Sequence, residues 1–125
     1  MTSRTHRDIF ASEIDWLLTE AGARTFTLST DEDNPAAPQM VLAHFPPGFS
    51  YSAHTHGCNY LEYVVAGQIT VGKISYGPGD VRQVKAGGGY GPLKVGQEGC
   101  QVVIVFERGD TADVELLPRR KPVAA

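Results

Sequence analysis

Gly48–Gly67 reads GFSYSAHTHGCNYLEYVVAG, and the reading of this stretch decides the fold. His54 and His56 stand two apart. In an extended strand residues i and i+2 point to the same side, so the two imidazoles converge. Converging imidazoles suit a metal that prefers nitrogen ligands. Beyond them Tyr60, Glu62 and Val64 share one face of the next strand, and Leu61, Tyr63 and Val65 share the other. Both faces are largely apolar, which predicts a strand covered on both sides. Glu62 is the exception. A buried, unpaired carboxylate is strongly disfavoured, so it needs a cation or strong hydrogen bonds. A metal held by the histidines would supply one; Arg82 or a tyrosine hydroxyl is the other source. Two histidines and one carboxylate with open positions form the facial arrangement of non-haem iron sites, and zinc and manganese also suit such donors.

Working outward, glycine and proline punctuate the chain at Pro46-Pro47-Gly48, Ala66-Gly67, Gly77-Pro78-Gly79-Asp80 and Gly87-Gly88-Gly89. Between these breakers the sequence predicts strands at Arg24–Ser29, Gln39–Phe45, Tyr60–Ala66, Gln68–Val71, Lys73–Tyr76, Val81–Lys85, Gln101–Glu107 and Asp113–Leu117. Short strands at close, regular spacing indicate a sandwich or barrel and not βαβ units. Asp8–Ala21 fits an amphipathic helix poorly, and Ile14–Leu17 within it reads as an edge strand. Thr30–Pro38 is a polar surface loop. The tail after Leu117, with Arg119, Arg120 and Lys121, reads as a solvated end that frays.

The 125 residues suit one domain (1–125, core about 24–117), with 42% hydrophobic and 20% charged residues. A net charge of −3 without a basic stripe argues against nucleic acid as a partner. No apolar run approaches the ~20 residues of a membrane helix, and the N-terminus lacks the apolar core of a secretory signal. A cytoplasmic location is the resulting expectation. Cys58 and Cys100 are too few for a disulfide framework. His44 is a candidate third nitrogen ligand, but a packed or exposed strand histidine is the simpler description; Cys58 similarly reads as a small packed residue.

These residues resemble the cupin superfamily, whose first motif runs G-x5-H-x-H-x3,4-E-x6-G. Gly48, His54 and His56 match its opening and Gly67 its end. Gly79 and Gly87 match the two glycines of the second motif, G-x5-P-x-G-x2-H-x3-N. The Pro-Pro-Gly and His-Thr-His-Gly elements are also similar to the cupin module of zinc-binding anti-sigma factors. The resemblance covers about Pro38 to Arg108. It implies an all-β, cupin-type (RmlC-like) jelly-roll barrel, with the N-terminal edge strand contributing to a dimer. Departures are equally plain. Aligned on Gly67, the motif's glutamate falls on Tyr60, with Glu62 two residues later on the same face. In the second motif the proline falls on Lys85, the histidine on Tyr90 and the asparagine on Lys94.

The expectation is thus a metal site of His54, His56 and Glu62, holding a divalent iron, zinc or manganese ion with no organic cofactor. Glu62, Tyr60 and Tyr90 are the candidate catalytic groups: the carboxylate to abstract a proton next to a carbonyl, the phenols to donate to a developing oxyanion. The substrate expected is a small organic molecule bearing a carbonyl or hydroxyl, in oxygenase, isomerase or cyclase chemistry. The competing expectation is a metal-poor cupin that binds or senses a metabolite without turnover. Outward apolar side chains Leu61, Tyr63 and Val65, together with exposed strand edges, lead to an expected homodimer.

Overall fold

The computed structural model describes residues 5–116, position 90 excepted. Among the described residues there are ten strands: β1 Leu17–Leu18, β2 Arg24–Ser29, β3 Gln39–Phe45, β4 Ser50–Tyr51, β5 His54–His56, β6 Tyr60–Val71, β7 Ile74–Tyr76, β8 Val81–Val84, β9 Leu93–Phe106 and β10 Val114–Leu116. The main sheet runs β1-β2-β3-β9-β6-β7, with β4 added to β9 and β8 to β6; β5 and β10 form a separate ribbon. All pairings are antiparallel. The architecture is the all-β barrel that the strand spacing predicts.

Register determines what faces inward. Thr27, Val41, Ile104, Glu62 and Arg82 lie directly opposite one another across β2, β3, β9, β6 and β8. The neighbouring inner row is Thr25, Ala43, Val102 and Val64. Partners in register share a face, so these rows face the barrel interior. One core cluster gathers Phe49, Val64, Ile69, Leu93, Cys100 and Val102, and a second gathers Cys58, Tyr60, Phe106 and Ala112.

One expected break is continuous strand instead, and one strand begins earlier than expected. β6 passes through Ala66-Gly67 with register irregularities on either side of this pair, and β9 begins at Leu93, eight residues before the strand predicted at Gln101. The reason is a bulge. Gly67 adopts φ +80°, and a Cβ there would lie 2.0 Å from the Gly99 carbonyl oxygen. The two strands thus touch backbone to backbone where only glycine fits.

The N-terminus differs as well. Ala11–Glu13 is one 3-10 turn, and the edge strand is Leu17–Leu18 on β2, not Ile14–Leu17. Trp16 meets His44 edge to face, with ring centroids 4.5 Å apart. Thr30–Pro38 is the mostly exposed loop expected. Leu117 and the basic residues beyond it lie outside the described residues. Among the described residues no helix is long and apolar enough to cross a membrane.

Candidate functional site

The ribbon of β5 and β10 carries the histidine pair. His54 lies opposite Leu116, and His56 opposite Val114. As the two-residue spacing requires, both imidazoles sit on one face, with ring centroids 5.2 Å apart and planes at 81°. Backbone carbonyls fix each ring. His54 Nδ1–H donates to the Ser52 carbonyl at 2.9 Å, and His56 Nδ1–H to the Ala112 carbonyl at 2.6 Å. A carbonyl only accepts, so this geometry assigns the proton to Nδ1 and makes Nε2 the accepting nitrogen.

Burial holds both histidines below the ordinary imidazole pKa. The carbonyls of Ser52 and Ala112 oppose that shift, as do Glu62 and Asp113 around His56, but desolvation prevails. Both rings are therefore neutral acceptors at pH 7.

Both rings line a cavity of about 870 Å³ inside the barrel, together with Glu62, Val41, Phe45, Phe49, Tyr51, Ile104 and Phe106. Thr19, Glu20 and Ala21, from the turn joining β1 to β2, also line it, as does Asp113 beside β10. That turn is clasped by its own threonine: the Thr19 hydroxyl donates to the Ala23 carbonyl and accepts from the Ala23 amide.

Glu62 is 3% exposed and Arg82 8%. The guanidinium donates to the carboxylate at 2.6 Å, from the position directly opposite on β8. Arg82 also lies over the Tyr76 ring, 5.5 Å from its centroid. The cation that a buried Glu62 demands is present in the protein itself.

Of the other candidates, Tyr60 stands behind His56, with ring centroids 4.9 Å apart, and touches Phe106. Tyr90 lies outside the described residues. His44 points away from the cavity, because Ala43 and Phe45 on either side of it face inward. Cys58 is packed in the second core cluster, its thiol directed at the Arg108 carbonyl. Burial pushes the Cys100 thiol up to about 11, so it is an inert core thiol. The aromatic lining by Phe45, Phe49 and Tyr51 was not anticipated from sequence.

No family model and no curated protein matches the sequence. Solved structures do resemble it. An RmlC-like cupin from Shewanella frigidimarina superposes with a TM-score of 0.68 at 19% identity, over 82% of this chain and 90% of that one. The polyketide cyclase RemF from Streptomyces resistomycificus gives 0.70 at 16%, over 97% and 89%. A chain from the complex of Rhodobacter sphaeroides SigE with the anti-sigma ChrR gives 0.63 at 18%, over 78% of this chain and 51% of that one. This chain thus spans about half of that last chain's length. The fold is the RmlC-like cupin barrel, an antiparallel jelly roll.

The resemblance also implies a metal, and the residues present can be tested against one. Two imidazoles are gathered and correctly anchored, but the nearby carboxylate is bound by Arg82. Among the described residues no group of three His, Cys, Asp or Glu side chains converges. As placed, the site offers two imidazoles, and Glu62, the third expected donor, is held by Arg82.

Proposed function

We propose that the chain is a small-molecule cupin that encloses a hydroxyl-bearing organic ligand in its barrel, with the hydroxyl against His56 and beside His54. The observation that carries this reading is the tautomer. With Nδ1–H committed to the Ala112 carbonyl, His56 presents an accepting Nε2, which pairs with a ligand O–H and not with a carbonyl oxygen. Cavity size supports the reading, since about 870 Å³ lies within the range of small-molecule sites. Glu62 and Tyr60 act as positioning groups: the Glu62–Arg82 pair neutralises the charge beneath the site, and Tyr60 backs the His56 ring.

The test compares alcohols with their methyl ethers, using cyclohexanol and naphthol as probes in equilibrium dialysis at neutral pH. The ether cannot donate, so it is expected to bind at least about tenfold more weakly. Exchanging both histidines for phenylalanine should abolish that difference. Equal binding of alcohol and ether by the unmodified chain overturns the reading.

A second reading is favoured by one observation. Carbonyl-anchored Nδ1 groups are how proteins orient metal-binding imidazoles. In that reading His54 and His56 would hold an iron, zinc or manganese ion, with Glu62 the nearby carboxylate, and the metal would supply Lewis-acid chemistry to a metal-dependent enzyme. RemF, of the same fold, is named as a cyclase, whereas ChrR is named as an anti-sigma factor; fold alone does not choose. Elemental analysis of protein purified without chelator or nickel resin decides. Near one metal per chain supports the second reading; a chain that refuses added iron, zinc and manganese supports the first.

Self-association completes the proposal. Phe26, Leu42, Val103, Tyr63 and Val81 lie in register across five strands on the outside of the sheet. That apolar row fits a second copy of the chain.

A further inference from the structure

The aromatic side chains of the cavity are not scattered. Phe45, Phe49, Tyr51, His54 and His56 follow one another as a row of rings, with centroid spacings of 5.0, 6.3, 5.1 and 5.2 Å. Phe106 extends the row, 5.0 Å from His56. All six line the cavity. The first three rings are near parallel, at 29° and 8°, and His54 then stands perpendicular to Tyr51 at 89°. The core needs bulk here, but aliphatic side chains would supply it equally well. A run of rings offers π-faces and edges to whatever lies beside it.

Charge narrows the ligand further. Among the described residues no lysine or arginine lines the cavity, while Glu20 and Asp113 do. Arg82, the nearest buried cation, is already matched by Glu62. A carboxylate or phosphate on the ligand would meet negative charge at the lining and no cation to receive it.

We infer that the ligand is a flat, conjugated and uncharged hydroxy compound, a phenol or its fused-ring equivalent, lying along the Phe45–His56 row. This inference rests on the small-molecule reading above and sharpens it. The row selects for flatness, the carboxylates select against anions, and the His56 Nε2 accepts a hydrogen bond from the hydroxyl.

Three probes of similar size separate these demands: naphthol, its saturated counterpart decahydronaphthol, and naphthoate. Each is titrated into the full chain by calorimetry at neutral pH. Naphthol is expected to bind about tenfold more tightly than decahydronaphthol, from ring–ring contacts beyond simple area. Naphthoate should bind more weakly than naphthol by at least a similar factor. Tyr51→Leu should narrow the gap between naphthol and decahydronaphthol to within about threefold, by weakening naphthol more than the saturated alcohol. Phe49→Leu should do the same, and Tyr51→Leu answers the question by itself if the more deeply buried Phe49 variant fails to fold. If decahydronaphthol binds as well as naphthol, or naphthoate binds most tightly, the inference is overturned and the small-molecule reading stands. If none of the three binds, both are overturned.

Discussion

Along β6 the side chains that point inward are Tyr60, Glu62 and Val64, and those that point outward are Leu61, Tyr63 and Val65. The inner set includes a carboxylate that is 3% exposed, whereas Leu61 and Tyr63 on the outside are 47% exposed each. At Glu62 inside, and at Leu61 and Tyr63 outside, the ordinary placement of charge and apolar surface is inverted on this strand. Each side has its own cause. Inside, register delivers Arg82 directly opposite Glu62, so the charge enters the barrel as a neutral pair. Outside, the apolar residues have no cover within a single copy. What a face contains therefore depends on what stands opposite it and not on hydrophobicity alone.

The strongest way to break the inner arrangement is to remove one partner. Arg82→Met leaves Glu62 buried without its cation and should cost about 3–5 kcal/mol of stability, read as the urea-unfolding midpoint. The double variant Glu62→Leu/Arg82→Met should recover most of that loss, because a buried pair replaced by apolar residues of similar volume is often near neutral. If Arg82→Met alone unfolds at the normal midpoint, the pair is not what keeps Glu62 inside. A smaller contrast comes from trimming each face by a single group. Ile69→Val, in the first core cluster, should cost about 0.5–1.5 kcal/mol. Val105→Ala, on the exposed side of β9, should stay within about 0.5 kcal/mol in monomeric protein. Equal losses at the two positions would mean that the outer face is packed as tightly as the inner one.

The two faces were legible in the sequence to different depths. The convergence of His54 and His56 and the sharing of one side by Tyr60 and Glu62 follow from the period of two, which needs no knowledge of partners. β2 and β3 appear at their predicted bounds because polar loops or glycine and proline flank both. β6 runs on through the break expected at Ala66-Gly67, and β9 begins before Gln101, since Gly67 and Gly99 serve a bulge between paired strands and not a chain reversal. A glycine's local signal is the same in both settings; the facing strand distinguishes them. Arg82 was visible as one of several partners for Glu62, but choosing it required the β6–β8 register. Phe45, Phe49 and Tyr51 stayed hidden as a site because the turn at Pro46–Gly48 decides their direction.

Acid provides a gentler probe of the inner face. Burial lowers the folded-state pKa of His54 and His56, so the unfolded chain binds more protons as the pH drops below about 6.5. The stability held by the neutral imidazoles is fully present above that value. It is lost progressively as the pH falls from there towards the folded-state values. The urea midpoint should therefore decline between about pH 7.5 and 5.5, and the double variant His54→Gln/His56→Gln should show a flatter profile. A profile that the double variant leaves unchanged would assign the acid sensitivity to other groups.

The smallest effect on folding, and the sharpest on assembly, belongs to the outer face. Tyr63 lies between Val103 and Val81 in the row Phe26–Leu42–Val103–Tyr63–Val81. Water receives a serine there as readily as a half-exposed tyrosine ring, so Tyr63→Ser should shift monomer stability by no more than about 0.5 kcal/mol. If a second copy covers the row, the unmodified chain should scatter light at twice the chain mass at micromolar concentration. Tyr63→Ser, or the harsher Leu61→Glu, should then return it to the single-chain mass while the circular dichroism remains unchanged. An unmodified chain that already scatters as a monomer would leave the apolar face uncovered by its own kind. The inversion on β6 would then owe its inner half to Arg82 and nothing on its outer half to self-association.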